Sequence, residues 1–332
     1  MSWRGRSVLL TGHTGFKGAW LALWLHALGA RVTGFGGPPP TEPSLFALAG
    51  VGEVLQDLRG DVCDAEAVRA AARRARPDVV FHLAAQSLVA RGFEDPAGTF
   101  ATNVGGTVNV LEATRGVPTV VVTSDKCYAP GPDRHAEGDP LGGGDPYSAS
   151  KAAQEQVAAA YRAAFDLPLA TVRAGNAIGG GDYAPGRLIP DLARAQAAGE
   201  AVAIRHPDAV RPWQHVLNPL AGYLRVAEGL LAGEPVAEAW NFGPEPEDER
   251  PVRWLVERWG VAMVAGAAEA REAPALRVDS SKARARLGWR PAWDLEVGLD
   301  AAAAWYAADD ARAATVEQIA RFQEALEPPI PS

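Results

Sequence analysis

Tyr147 and Lys151 stand four residues apart in the segment Tyr-Ser-Ala-Ser-Lys. In a helix, this spacing places both side chains on the same face. An ammonium group beside a phenol stabilises the phenolate, which lowers the pKa of the phenol toward the range of a general base. Most tyrosine–lysine pairs at this spacing are solvated, so the pair gains its meaning from the motifs around it. Together with those motifs, it predicts a site where a hydroxyl loses its proton.

A hydroxyl, a carboxylate and an amine follow one another at Ser124, Asp125 and Lys126, where an apolar run ends. Oxidation of an alcohol needs only the hydroxyl at this position. Loss of water from a substrate needs one group that takes a C–H proton and another that protonates the leaving hydroxyl. The sequence therefore favours an elimination, and the alternative is a surface ion pair between Asp125 and Lys126.

The segment Thr11–Gly18 carries glycines at positions 12, 15 and 18 between a predicted strand and a predicted helix. Glycine permits a tight turn, a close approach of the backbone to a pyrophosphate, and close packing of the helix on the strand. The first turn of the helix then presents N–H groups to the phosphates. The residues predicted to form this dinucleotide-binding turn are Gly12, His13, Thr14, Gly15, Phe16, Lys17 and Gly18.

No acidic residue stands at the end of the predicted second strand, in Gly34–Gly37, where many dinucleotide sites hold the adenosine ribose. The residues leave NAD and NADP both open, because Lys17 could face a 2′-phosphate. Asp61 could accept a hydrogen bond from the adenine amino group, or it is a solvated or capping loop residue. The other predicted cofactor-binding residues are Val62, Leu83, Ala84, Ala85 and Gln86, together with Tyr147 and Lys151.

Short β-branched runs alternate with helical stretches through the first half of the chain, which is typical of a doubly wound sheet. The predicted strands are Ser7–Leu10, Arg31–Phe35, Glu53–Leu58, Asp78–Leu83, Thr119–Ser124 and Leu169–Arg173. The predicted helices are Lys17–Leu28, one that begins at Asp64, Pro96–Arg115 and Ser148–Phe165. The pattern predicts an α/β fold: a Rossmann-type doubly wound parallel sheet with a smaller C-terminal substrate-binding lobe.

Two lobes are expected from the change of pattern after Asn176. Residues 1–176 are predicted to form the Rossmann domain, and the chain is expected to return to it at about 216–243. Residues 177–215 and 244–332 are predicted to form the substrate-binding lobe. Ligands are expected above the carboxyl ends of the strands, between the lobes.

The composition excludes several classes of protein. With 332 residues, of which 48% are hydrophobic, the chain can bury a large core. A net charge of -8 argues against a nucleic-acid partner. The two cysteines, Cys63 and Cys127, lack metal-ligand spacing, and no apolar stretch has the length of a membrane span. We therefore expect a reduced, cytoplasmic protein with no disulfide, no metal site and no membrane partner.

The chain resembles the extended short-chain dehydrogenase/reductase superfamily, and within it the CDP-glucose 4,6-dehydratases, over nearly its whole length. The similar dTDP-glucose enzymes carry a glutamate where Lys126 stands. A second loop without an acidic residue is typical of the CDP-glucose family, so the resemblance implies NAD as the cofactor. The motifs that carry the resemblance are Gly12–Gly18, Pro38–Phe46, Val122–Tyr128, Asp145–Lys151, Arg173–Asn176, Gly186–Asp191 and Arg211–Val216.

The resemblance implies a hydro-lyase that dehydrates CDP-D-glucose to CDP-4-dehydro-6-deoxy-D-glucose. The steps would be oxidation at C4, loss of water across C5–C6, and return of the hydride to C6. The implied catalytic residues are Ser124, Tyr147 and Lys151 for the oxidation, with Lys126 as the C5 base and Asp125 as the acid. The implied substrate-binding residues are Asn176, Arg187, Arg211, Trp213 and His215, although each arginine could instead form a surface ion pair.

Other functions stay open at this point. The chain could be another nucleotide-sugar 4,6-dehydratase, a 4-epimerase, a reductase, or a non-catalytic nucleotide-binding sensor. Asp125 and Lys126 argue against an epimerase or reductase, because neither reaction expels water. An intact Tyr147 argues against a sensor, because a pure binder needs no activated phenol. The resemblance also implies a homodimer or homotetramer, and a role in deoxysugar biosynthesis such as that of the lipopolysaccharide O-antigen.

Overall fold

The computed structural model describes residues 2–266, 276–326 and 330. Its strands are β1 (Ser7–Thr11), β2 (Arg31–Gly36), β3 (Gln56–Arg59), β4 (Val79–His82), β5 (Thr119–Val122), β6 (Leu169–Arg173), β7 (Ala177–Ile178), β8 (Val202–Ile204), β9 (Val210–Pro212), β10 (Gln214–His215), β11 (Ala239–Asn241), β12 (Glu249–Pro251) and β13 (Met263–Ala265). Its helices are α1 (Phe16–Ala27), α2 (Leu45–Leu48), α3 (Ala65–Ala75), α4 (Val89–Glu94), α5 (Pro96–Phe100), α6 (Gly106–Ala113), α7 (Pro146–Phe165), α8 (Leu188–Ala198), α9 (Leu217–Leu231), α10 (Val252–Trp259), α11 (Ser281–Leu287), α12 (Leu295–Tyr306) and α13 (Ala311–Ala325).

The predicted doubly wound parallel sheet is confirmed. Seven parallel strands pair in the order β11-β6-β5-β4-β1-β2-β3. Alternate residues of β1 enter different cores, because successive side chains of a strand point to opposite faces. Val8 and Leu10 pack in the core that includes α1 and α9, whereas Leu9 packs in the core that includes α3. The strand order reverses between β1 and β4, and ligands of such sheets bind at the carboxyl ends there.

Some predicted boundaries were wrong. The third strand begins at Gln56 rather than Glu53, because residues 51–53 form a 3₁₀ turn after α2. The predicted helix Pro96–Arg115 is divided, since a π-helical turn at 101–105 separates α5 from α6. The fifth strand ends at Val122, because Ser124 caps the following turn by accepting a hydrogen bond from the Lys126 backbone N–H.

The C-terminal half contributes to two cores. After the segment that carries α8, the chain enters α9 and then β11, which pairs with β6 at the edge of the large sheet. The remaining strands form small two-stranded pairs, β7 with β10, β8 with β13 and β9 with β12. A separate apolar cluster around Leu192, Leu255 and Leu299 lies under α8, α10 and α12. The division into two lobes at the boundaries given above stays a prediction. Within the described ranges, no helix has the length and apolar character needed to cross a membrane.

Candidate active site

Four loops meet at one edge of the sheet. Strands β1, β4, β5 and β6 are neighbours and run in the same direction, so their carboxyl ends lie side by side. The glycine turn follows β1, and Leu83 follows β4. Ser124 lies just past β5, and Asn176 just past β6. Motifs that are far apart in sequence are therefore brought to one place by parallel pairing.

The glycine turn has room for a dinucleotide backbone and for no side chain of its own. Gly12 has a φ of 75°, and a Cβ there would lie 2.6 Å from the backbone nitrogen of Ala84. A Cβ on Gly18 would lie 2.1 Å from the Gly12 carbonyl oxygen. Gly15 is the N-cap of α1 and provides no side-chain cap, so the first-turn N–H groups are left for an anion. These features fit a bound diphosphate.

His13 supports this turn through packing. Its ring is fully buried, and its Nε2 atom lies 2.8 Å from Oδ1 of Asp57. A Cβ on Gly34 would lie 2.4 Å from the ring, so β2 needs glycine where the histidine crosses it. Burial lowers the pKa of His13, although Asp57 opposes the shift. The side chain therefore holds the turn against β2 and β3.

Two of the predicted cofactor residues follow β3. Asp61 is exposed, and its Oδ1 atom accepts a hydrogen bond from the Cys63 backbone at 2.9 Å. Val62 is buried, and a Cβ on Gly106 would lie 2.6 Å from its side chain. Asp61 is thus accessible to a ligand, while Val62 seats the loop on α6.

The loop Leu83–Gln86 is tied to its surroundings by backbone hydrogen bonds. Leu83 and Ala84 donate to the carbonyl and hydroxyl oxygens of Thr11. The Gln86 backbone donates to Oδ1 of Asn103 at 2.8 Å, in the π-helical turn. The half-buried loop, including Ala85, therefore lies against the glycine turn, as the sequence predicted for a cofactor path.

Tyr147 and Lys151 lie in the first turns of α7, which Asp145 caps by accepting a hydrogen bond from the Ser148 backbone. Their exposed fractions are 8% and 2%, so the pair is not solvated. Ser124 lies close enough to the Tyr147 side chain to lower the pKa of its phenol. The structure thus brings together the hydroxyl, phenol and amine that the sequence predicted.

Burial shifts the pKa values of the pair in opposite directions. It raises the pKa of Tyr147 to about 12, while Ser124 and then Arg187 oppose the shift. It lowers the pKa of Lys151 to about 7, and the neighbouring cation Lys17 lowers it further. Burial and then the neighbouring cation Arg187 lower the pKa of Lys17 to about 8. The phenolate therefore depends on a protonated cation being kept close to it.

Asp125 is a buried residue of the turn that follows β5. It is 2% exposed, and its Oδ1 atom accepts a hydrogen bond from the Ser124 hydroxyl at 2.9 Å. Its Oδ2 atom has no partner among the described residues, and a Cβ on Gly175 would lie 1.8 Å from it. Lys126 is half-buried and forms no ion pair with Asp125 in the described structure. The alternative of a surface ion pair is therefore wrong.

A buried ion pair that the sequence analysis missed lies behind these residues. Oε2 of Glu155, on α7, is 2.8 Å from Nη2 of Arg173, and both side chains are 3% exposed. Glu155 also accepts hydrogen bonds from Thr123 and Thr171. Arg173 donates to the Tyr128 hydroxyl at 2.8 Å. The pair thus links the helix of Lys151 to the turn of Asp125. Glu155 stands four residues after Lys151, which was the only signal for it.

Replacing Arg173 by methionine should lower the free energy of unfolding by about 3–5 kcal/mol, because it leaves a buried carboxylate without its cation. Chemical denaturation monitored by tryptophan fluorescence measures this change. Arg69→Met is the matched control, since Arg69 pairs with Glu66 on the surface of α3, and its midpoint should stay at the wild-type value. Equal midpoints for the two variants would contradict the structural role of the buried pair.

Two of the predicted substrate residues face the cleft. Asn176 is half-buried with a φ of 36°, a left-handed conformation that asparagine tolerates. Arg187 is 34% exposed, and its guanidinium lies 3.2 Å from Asp182 and 3.4 Å from the Ser87 hydroxyl. Arg187 does form an ion pair, with Asp182, as the alternative predicted. Its contact with Ser87 places this pair beside the loop that follows β4.

The other three predicted substrate residues are buried. Arg211 donates to the Val210 carbonyl, and Trp213 donates to the Arg250 carbonyl at 2.9 Å. His215 is fully buried and packs against the rings of Trp20 and Trp293. Such an enclosed ring cannot touch a ligand in this structure, so the expectation of a substrate contact from His215 is corrected to a packing role.

Comparisons with known proteins agree with this geometry. Residues 8–243 match the model of the NAD-dependent epimerase/dehydratase family. The CDP-glucose 4,6-dehydratase of Salmonella typhimurium is 43% identical over 92% of this chain and 92% of its own. A UDP-glucose 4-epimerase from Brucella ovis, solved with NAD, superposes with a TM-score of 0.79 at 24% identity, over 91% of this chain and 98% of its own. A dTDP-glucose 4,6-dehydratase double mutant from Streptomyces venezuelae, solved with NAD, superposes with a TM-score of 0.77 at 25% identity, over 91% of this chain and 97% of its own.

Proposed function

The chain belongs to the NAD-dependent epimerase/dehydratase family, and from this premise we propose that it is a hydro-lyase that converts CDP-D-glucose into CDP-4-dehydro-6-deoxy-D-glucose. The observation that carries the proposal is the buried turn after β5. There Ser124 and Asp125 adjoin Tyr147, and Lys126 follows at once. The relative that is 43% identical over 92% of both chains supports CDP-glucose as the substrate.

NAD is the cofactor that the family uses, and the glycine turn fits its diphosphate. When bound, it supplies the redox chemistry, by accepting a hydride from C4 and later returning it to C6. The residues assigned to hold it are those of the turn Gly12–Gly18 and the loop Leu83–Gln86. Asp61 and Lys151 are proposed to contact the adenine and the ribose. Lys17 stays a candidate for the diphosphate or the substrate, because it lies close to Arg187 and Asp125.

Oxidation at C4 needs a group that takes the proton of the 4-hydroxyl. Tyr147 is proposed for this step, with Ser124 holding the hydroxyl and Lys151 stabilising the phenolate as an ammonium. All three side chains lie within the buried edge of the sheet. Exclusion of water strengthens the electrostatic contribution of Lys151.

Elimination of water then needs a base that takes the C5 proton and an acid that protonates the leaving 6-hydroxyl. The 4-keto group makes the first of these steps feasible, because it acidifies the C5 proton. Lys126, as a neutral amine, is proposed to take that proton while the C6–O bond breaks. Asp125 is proposed to give its proton to the leaving oxygen, which departs as water. The unpartnered Oδ2 atom of Asp125 suits a carboxyl group that exchanges a proton with a substrate.

The nucleotide end of the substrate is assigned to the C-terminal side of the cleft. Asn176 and Arg187 are proposed to bind the diphosphate, because both lie at the carboxyl edge and Arg187 can form charge-assisted hydrogen bonds. Arg211 and Trp213 would need to become accessible before they could contact the nucleoside. His215 is not included in the proposal, for the packing reason given above.

A second copy of this chain is the proposed partner, as a homodimer or homotetramer. Phe93, Phe100 and Phe165 are 60%, 39% and 47% exposed on α4, α5 and α7, which pack together. These helices present the large apolar side chains through which a second copy is proposed to dock. The oligomeric state stays a prediction.

The proposal is tested by incubating the protein with CDP-glucose and NAD, without a reductant, and following the nucleotide sugar by mass spectrometry. The expected product has lost the mass of one water molecule, with no net change in NAD. An unchanged mass with a new configuration at C4 would identify a 4-epimerase. A stoichiometric need for NADPH would identify a reductase, and no product at all would favour a sensor.

A further inference from the structure

Lys151 is held by a neighbour on its own helix. Its Nζ atom donates to the Val122 carbonyl at 3.2 Å and to Oε1 of Gln154 at 2.9 Å. The amide nitrogen of Gln154 donates to the hydroxyl of Thr107, on α6, at 2.7 Å. Gln154 and Thr107 have no exposed surface. An acceptor for the ammonium is therefore built into the interior beside the catalytic face of α7.

The hydroxyl of Thr107 has one proton, and that proton goes to the Asn103 carbonyl at 2.7 Å. The hydroxyl must therefore act as acceptor toward its two other partners. One is the Gln154 amide nitrogen, and the other is Nε2 of His82, at 2.9 Å. Because the NH₂ group of Gln154 is committed to Thr107, its carbonyl is the group that faces Lys151.

The hydrogen bonds of His82 and Thr11, at the other end of this network, are consistent with this orientation of the Gln154 amide. With Nε2 of His82 protonated, Nδ1 accepts from the Thr11 hydroxyl at 2.7 Å. That hydroxyl in turn accepts from the Ala84 backbone at 3.2 Å. Burial lowers the pKa of His82 to about 3, so the ring is neutral with one donor and one acceptor. The donor and the acceptor of each hydrogen bond from Thr11 to Gln154 are thereby assigned.

We propose that Gln154 is a positioning residue that keeps Lys151 in its ammonium form, with its amide orientation locked by Thr107 and His82. The inference rests on the proposed role of Lys151 in the oxidation. After losing one proton, the Tyr147–Lys151 pair exists either as phenolate with ammonium or as phenol with amine. Only the form with a phenolate and an ammonium can accept the proton of a 4-hydroxyl. A carbonyl acceptor at Lys151 favours that form, since a neutral amine has fewer protons to donate.

Other charges face Lys151 from several elements. Lys17 on α1 disfavours the ammonium, whereas Glu155 on α7 favours it. Cys127 after β5 is a neutral thiol near pH 7, because burial raises its pKa. His82 on β4 is neutral near pH 7. Burial has the largest effect and lowers the pKa of Lys151 to about 7. Near neutral pH, a single hydrogen bond to the ammonium therefore changes the charge state of a large share of the molecules.

An NMR titration of the lysine side chains tests directly whether Gln154 raises the pKa of Lys151. The chain contains four lysines, Lys17, Lys126, Lys151 and Lys282, so ¹³Cε-labelled lysine gives a simple spectrum in which Lys151→Met assigns one signal. Gln154→Leu should lower the pKa of Lys151 by about one unit, a tenfold change in the protonation equilibrium. Gln156→Leu is the matched control, since Gln156 is exposed on the same helix. It should leave the pKa unchanged.

Gln154→Glu provides a shift of the opposite sign, which a folding defect would not produce. Its carboxylate should raise the pKa of Lys151. In turnover, Gln154→Leu should lower kcat about tenfold with little change in KM for CDP-glucose. An unaltered Lys151 pKa in Gln154→Leu would overturn the inference. If the wild-type protein did not dehydrate CDP-glucose, the proposed function would fail while the titration still decided the role of Gln154.

Discussion

Replacement of Lys126 by methionine is expected to stop the reaction after oxidation of C4. Tyr147, Lys151 and Ser124 remain in place in this variant, so the 4-hydroxyl still loses its proton. The C5 proton then has no base, and the 4-keto-glucose nucleotide should accumulate together with reduced cofactor. Single-turnover near-ultraviolet absorbance measures this directly. Dehydration should fall about 10²–10⁴-fold, the usual contribution of a general base.

Solvent exchange and a control variant make the result specific. Deuterium from the solvent should fail to enter C5 in Lys126→Met, because the proton there is no longer removed. Lys282→Met should turn over normally, since Lys282 lies on α11 and pairs with Glu238, away from the carboxyl edge. Normal dehydration by Lys126→Met, without a persistent absorbance signal, would remove Lys126 from the mechanism.

Replacement of Tyr147 by phenylalanine is expected to abolish the first step. The variant keeps the ring and its packing but loses the oxygen that takes the proton of the 4-hydroxyl. The loss, again about 10²–10⁴-fold, should appear in kcat rather than in KM, because the phenol acts in the transition state. Steady-state kinetics and the absence of reduced cofactor in a single turnover measure it.

The two variants distinguish the two halves of the reaction. Tyr147→Phe should give no reduced cofactor, and the double variant with Lys126→Met should behave like Tyr147→Phe alone. Tyr161→Phe is the control, because Tyr161 lies on the same helix and bonds to Glu112 at the surface. Near-normal turnover by Tyr147→Phe would show that another group oxidises C4.

The fit between α7 and the sheet explains why these effects should be large. Lys151 lies between the Val122 carbonyl and Gln154, and Glu155 faces the buried guanidinium of Arg173. Small displacements of α7 would therefore disturb both the Tyr147–Lys151 pair and the Asp125 turn. Rigid, dry surroundings of this kind preserve the electrostatic stabilisation of a transition state.

Local patterns determined the fold and the central chemistry. Parallel strands buried on both faces are continuous apolar runs, so β1, β4, β5 and β6 could be predicted from the sequence. The glycine turn and the spacing of Tyr147 and Lys151 are equally local, since they depend on one turn and one helix. Ser124, Asp125 and Lys126 were found because the end of a parallel strand lies at the edge where ligands bind.

Only the tertiary structure decided which polar side chains face one another. His215 belongs to a motif that suggested substrate binding, but Trp20 and Trp293 enclose it. Thr11 and His82 are 71 residues apart in sequence, and Thr107 and Gln154 are 47 apart, yet hydrogen bonds join each pair. Burial and hydrogen-bond partners depend on how separate elements pack, and no single segment of the sequence contains that information.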